Sequence, residues 1–195
     1  MRILTDADER ARANVGRSID AVRHLPQNVF LGSWKAFFFF DSDWMFSREF
    51  VGIVKNLLHK EGSSAACLTD FESNMPELSS FWFRKETTSD AFLSARAQIP
   101  AEGLDGWLDA LSRFGCTSDV GEWCFYCERR DEIAVMAFRQ SFLVEKYRPA
   151  IEQLTAVPID IALTSPPSWG FDHIPTGWRE EFLKNYRNES PPSAS

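Results

Sequence analysis

The hydrophobic positions change period several times along the chain, and those changes predict its elements. Residues 8–25 are polar and arginine-rich with a weak apolar stripe, which predicts a helix closed by Pro26. Trp34 to Phe40 is a short aromatic run between Gly32 and Asp41 and predicts a buried strand. Over 44–60 the period becomes helical: Phe46, Phe50, Ile53, Val54, Leu57 and Leu58 share one face, Arg48, Glu49, Lys55, Asn56 and Lys60 the other, and Gly62 ends the helix. Ala65 to Phe71 and Phe81 to Lys85 are further strands, with a helix over 91–97.

Leu104, Trp107, Leu108, Leu111 and Phe114 keep helical spacing up to Gly115. Trp123–Glu128 and Glu132–Phe138 then form a hairpin through Arg129-Arg130-Asp131, with Trp123, Phe125 and Cys127 on one face of its first arm. The helical pattern of 142–154 contains Pro149, which predicts a break, a kink or a helix start there. Ile159 to Leu163 reads as a last short strand, and Trp178 to Tyr186 as a closing helix capped by Thr176. The Pro- and Ser-rich 188–195 reads as a disordered tail. These elements predict one α+β domain over 1–187, a mostly antiparallel sheet with helices packed on it.

Ser42-Asp43-Trp-Met-Phe-Ser47 and Ser89-Asp90-Ala-Phe-Leu-Ser94 share a pattern, each after an aromatic strand. They suggest two strand-turn-helix units in which Asp43 and Asp90 cap the helices.

A chain of 195 residues can bury about 70% of its extended surface, so a full core is within reach. The net charge of −7 is uneven: residues 1–60 carry nine Lys/Arg against seven Asp/Glu, and the rest carry 12 against 21. A surface of that sign suits a basic protein partner and argues against nucleic acid. No apolar stretch is long enough to span a membrane and the charged first residues do not form a signal peptide, so the expected compartment is the cytoplasm.

Cys124 and Cys127 form a C-x-x-C, but on a strand residues three apart face opposite ways. With Cys67 and Cys116 they read as buried free thiols, and the isolated His24, His59 and His173 add no zinc set; a Cys116–His173 nucleophile pair has only its residue types in favour. Asp41 and Asp43 end the aromatic strand as D-x-D, similar to the acidic pair of haloacid-dehalogenase phosphatases and nucleotide-sugar glycosyltransferases. That pattern supports a divalent-metal-dependent phosphoryl or glycosyl transferase as the alternative function. Capping accounts for the same residues, so no metal and no cofactor is expected. The acidic stretch Glu102, Asp105, Asp109, Asp119 and Glu122 offers a face for attraction, and Trp169 and Phe171 on the Ser165–Pro175 loop offer aromatic anchors. Asp105, Asp109, Glu122, Trp169 and Phe171 are thus the candidate partner-binding residues.

The hairpin from Glu122-Trp123 through Arg129-Arg130-Asp131 to Ile133-Ala-Val-Met136, in a small acidic chain rich in Trp and Phe, resembles those of bacterial immunity proteins of polymorphic or contact-dependent toxin systems. The resemblance implies a non-enzymatic protein that neutralises a toxin by covering its active site. A self-associating scaffold subunit is a further alternative, and the oligomeric state is open.

Overall fold

The computed structural model describes residues 4–72, 80–97, 113–164, 170–172 and 174–188. In chain order these form α1 (Asp6–Ser18), β1 (Ala36–Asp41), a 3-10 turn (Ser42–Phe46), α2 (Arg48–Glu61), β2 (Ala65–Asp70), β3 (Ser80–Arg84), α3 (Ser89–Ala97) and β4 (Arg113–Ser118). There follow β5 (Trp123–Glu128), a 3-10 turn (Arg129–Asp131), β6 (Ile133–Phe138), α4 (Leu143–Gln153), α5 (Ile159–Thr164) and α6 (Thr176–Tyr186). The strands make one antiparallel sheet in the order β1-β6-β5-β4-β2-β3, so the fold is a single α+β domain.

Helices cover both faces. On one, α2, α3 and α4 pack on Trp123, Phe125 and Cys127 of β5 and Ala134, Met136 and Phe138 of β6. On the other, α1, α5 and α6 pack on Cys124 and Tyr126 of β5 and Ile133, Val135 and Ala137 of β6. The C-x-x-C is therefore split between two cores, all four cysteines are free and buried, and burial pushes their thiols upward, those of Cys116, Cys124 and Cys127 well above the ordinary range. The free edge of β1 is closed where Phe39 exchanges backbone hydrogen bonds with Val157. The Phe37 N–H donates to the Asn188 side chain at 2.6 Å.

Several predicted elements are corrected. α1 ends at Ser18, not near Pro26, because Ile19 turns extended and bridges Phe30. Phe114 and Gly115 belong to β4 and not to the end of a helix; residues 104–112 lie outside the described ones. A Cβ at Gly115 would collide with the tip of Ile19 and come within 2.7 Å of the Phe71 ring, so glycine here makes room for the chain leaving α1. Residues 159–164 form a helix: Ile159, Ala162 and Leu163 point inward at i, i+3 and i+4, while Ile161 is exposed. α4 runs through Pro149, which sits on its solvent side while Leu143, Tyr147, Ala150 and Ile151 hold the other side to the core.

The capping residues differ from expectation too. Asp41, not Asp43, caps the first 3-10 turn, Ser47 caps α2, and the Thr88 hydroxyl accepts from the Ala91 N–H in α3. Asp90 instead pairs with Arg48. Pro175, not Thr176, precedes α6 and its carbonyl accepts from Trp178 and Arg179.

Candidate functional site at the Glu128 end of the sheet

Glu128 is the last residue of β5 and continues the inward alternation of Cys124 and Tyr126, which buries it to 4% exposure. A carboxyl in such a place needs hydrogen bonds. Its Oε1 accepts from the Tyr126 hydroxyl at 2.6 Å and from the Leu25 N–H at 2.7 Å, and His24 Nδ1 stands 3.8 Å away. The 3-10 turn after β5, completed by Glu132 at φ 58°, brings the Asp131 carboxylate close enough to Glu128 to raise its pKa. Burial above all, with the Asp131 carboxylate adding to it, pushes Glu128 up to about 7, against the bonds from Tyr126 and Leu25.

Arg113, the cross-strand partner of Glu128 on β4, interacts with the Tyr126 hydroxyl and makes its closest bonds to other groups. Its Nε donates to Glu72 at 2.6 Å and its Nη1 to the carbonyls of Ala21 at 2.8 Å and Arg23 at 3.3 Å. These groups, with Arg130 and with Trp178 from α6, line an open cavity of about 560 Å³. An adjoining one of about 360 Å³ shares Arg130, Asp131 and Trp178 and extends to Gly170 and Ile174. On the far side of the turn, Ser42 N–H donates to Glu132 O at 3.2 Å and Asp43 lies 3.8 Å from Arg129. The carboxylates of Asp41, Asp43, Glu72, Glu128, Asp131 and Glu132 therefore gather at one end of the sheet, where they outnumber the guanidinium groups of Arg113, Arg129 and Arg130.

The residues singled out from the sequence are scattered by comparison. Asp105, Asp109, Trp169 and His173 lie outside the described residues. Phe171 is fully buried, edge-on to Phe39 and beside Phe182, so it is a core residue and not an anchor on the surface. Glu122 lies at the opposite end of the sheet, where Lys146 Nζ at 2.6 Å and the Tyr147 hydroxyl at 2.7 Å donate to it. Burial opposes its charge, but these two bonds outweigh it and hold its carboxyl below the ordinary value. Its charge is spent within the fold. Two apolar side chains, Val120 and Phe142, are exposed on loops at that end.

Asp41 and Asp43 do reach the acidic end, but Asp41 accepts the Asp43 N–H and Asp43 faces Arg129. Among the described residues no group of three or more His, Cys, Asp or Glu is placed to hold a metal ion, and no helix is long and apolar enough to cross a membrane. Glu128, Tyr126, His24 and Trp178 were missed as a site because they are distant in sequence. One signal was present, a carboxylate in phase with the inward face of the hairpin's first arm. Comparison of this chain with family models, with curated proteins and with solved structures finds no match.

Proposed function

We propose that this chain is a non-enzymatic binding protein that neutralises a basic protein partner, as an immunity protein does its cognate bacterial toxin, acting in the cytoplasm. The observation that carries the reading is the gathering of carboxylates around an open cavity at the Glu128 end of the sheet. Such a surface attracts a basic partner at long range and aligns it before contact. Glu128 is buried beside the Asp131 carboxylate, and its charged form gains from a partner that brings its own positive charge. This end of the molecule takes the role first assigned to Glu122 and Phe171.

The test is co-expression with the toxin domain encoded immediately upstream of its gene. Restored growth together with a stoichiometric complex on size exclusion is the expected result. Growth arrest that persists at matched expression, without a complex, contradicts the proposal, as does a neighbouring gene that encodes no basic toxin domain.

A further inference from the structure

We infer that the Glu128 cavity is a socket for one cationic side chain, a lysine or arginine of the partner, seated against Trp178 with its charge on the Glu128–Asp131 carboxyl pair. This rests on the proposed function and specifies the contact at its centre.

Three features of the cavity select a cation. Its floor is a carboxyl buried to 4% exposure, bonded to the neutral donors Tyr126 and Leu25. The nearby guanidinium that is itself mostly buried, Arg113, is turned to Glu72 and to two loop carbonyls. Its wall includes Trp178, a half-buried aromatic side chain of the kind that favours a cation and its alkyl stem. Arg130 also lines the cavity but is exposed, so solvent screens its charge more than that of the buried Glu128. A further cavity between α2 and α4, about 220 Å³ and lined by Ile53, Leu57 and Ala150, offers no buried carboxyl, and its Lys60 Nζ donates to the Lys146 carbonyl; another of about 270 Å³ beside Thr5 places Arg84 and Lys85 against Glu86 alone.

The socket also couples binding to protons. Glu128 holds a proton up to about pH 7, so a cation entering below that pH must displace it. The charged groups facing Glu128 are His24 from the α1–β1 segment, Arg113 with Glu72 from the strand side, and Arg130 and Asp131 from the turn. The hydroxyl of Tyr126 completes the shell.

The probes are blocked single residues, N-acetyl-arginine amide and N-acetyl-lysine amide, with N-acetyl-norleucine amide and N-acetyl-glutamate amide as controls, titrated at millimolar concentration into the labelled full chain and followed by NMR. The cationic probes should shift the amides of Leu25, Glu128 and Asp131 and the Trp178 indole, and the controls should not. Affinity should be roughly tenfold or more higher at about pH 8 than at about pH 5.5. The difference should survive in His24→Gln, because it belongs to Glu128. Glu128→Gln, which keeps an acceptor for Leu25 and Tyr126, should weaken the cationic probes at least tenfold at the higher pH, and Asp131→Asn should weaken them too. Equal shifts with norleucine, unchanged affinity in both carboxyl variants, or pH dependence that vanishes in His24→Gln would each overturn the socket. If the toxin complex nonetheless forms, the proposed function stands and only the socket falls. If neither probe nor toxin binds, both fall.

Discussion

Glu128 shows how a single side chain can set both stability and binding. Its carboxyl is protonated in the fold up to about 7 and in the unfolded chain only to its ordinary value of 4.5. Between those values the folded state binds the extra proton, so stability falls as pH rises through this window and levels off above it. In Glu128→Gln that contribution is absent. The urea midpoint of the native protein, measured against that of the variant from about pH 5 to 8, should decline through the window and then run parallel. A constant difference would mean that burial does not hold the proton. The cysteines give a second residue-scale expectation. With all four thiols buried, a thiol reagent should find few or none in the native protein and all of them after unfolding. Fast labelling of Cys124 and Cys127 together would contradict the two-core placement. Both features were legible in the alternation of β5, which sends Trp123, Phe125 and Cys127 one way and Cys124, Tyr126 and Glu128 the other. The Glu128 pocket was not, because Leu25, Arg113 and Trp178 reach it from segments far apart in the chain.

At the scale of elements, strong and uninterrupted patterns were readable and short ones were not. The apolar stripe of α2 and its Gly62 stop, at φ 81°, follow from sequence. β4 did not, because its Arg113, Gly115, Thr117 and Ser118 are buried without being apolar, each for a tertiary reason. Arg113 serves Glu72, Thr117 donates to the Trp123 carbonyl, and Gly115 clears Ile19. The α5 segment failed for the opposite reason, since six apolar-rich residues fit either period and packing chose the helix. Gly115→Ala tests the account of β4. The added methyl meets Ile19 and Phe71 and should cost about 1–3 kcal/mol by overpacking, seen as a lower denaturation midpoint. An unchanged midpoint would show that the contact yields freely. α1 supplies a further check. Burial works against the charge of fully buried Asp8, but the bonds from Arg84 and Thr5 outweigh it and hold the carboxyl low. Asp8→Ala strands Arg84, itself 18% exposed, and removes the capping box; the expected loss is on the order of 3 kcal/mol. A loss under about 1 kcal/mol would place the pair among surface ion pairs.

For the whole molecule, the two ends of the sheet differ in how their charges are used. At the Glu122 end Lys146 pairs with Glu122 and Arg10 with Asp119, while Glu61 is held by the Ser63 hydroxyl, the Glu122 N–H and the Trp123 indole N–H. At the Glu128 end carboxylates exceed the available guanidinium groups and surround a cavity. A net charge of −7 alone pointed to a basic partner but not to the surface that meets it. That depended on which acidic residues the fold had already paired. In the proposed function the Glu128 end draws in a basic partner. Association kinetics with the basic toxin domain that the proposed function requires, followed across a range of salt, test this. Neutralising Asp43→Asn and Glu132→Gln together should slow association several-fold and flatten its salt dependence, with little change in dissociation, while Glu152→Gln on the exposed side of α4 should leave the rate as it was. Equal slowing by Glu152→Gln, or a double variant that associates at the native rate with native salt dependence, would contradict this role for the Glu128 end.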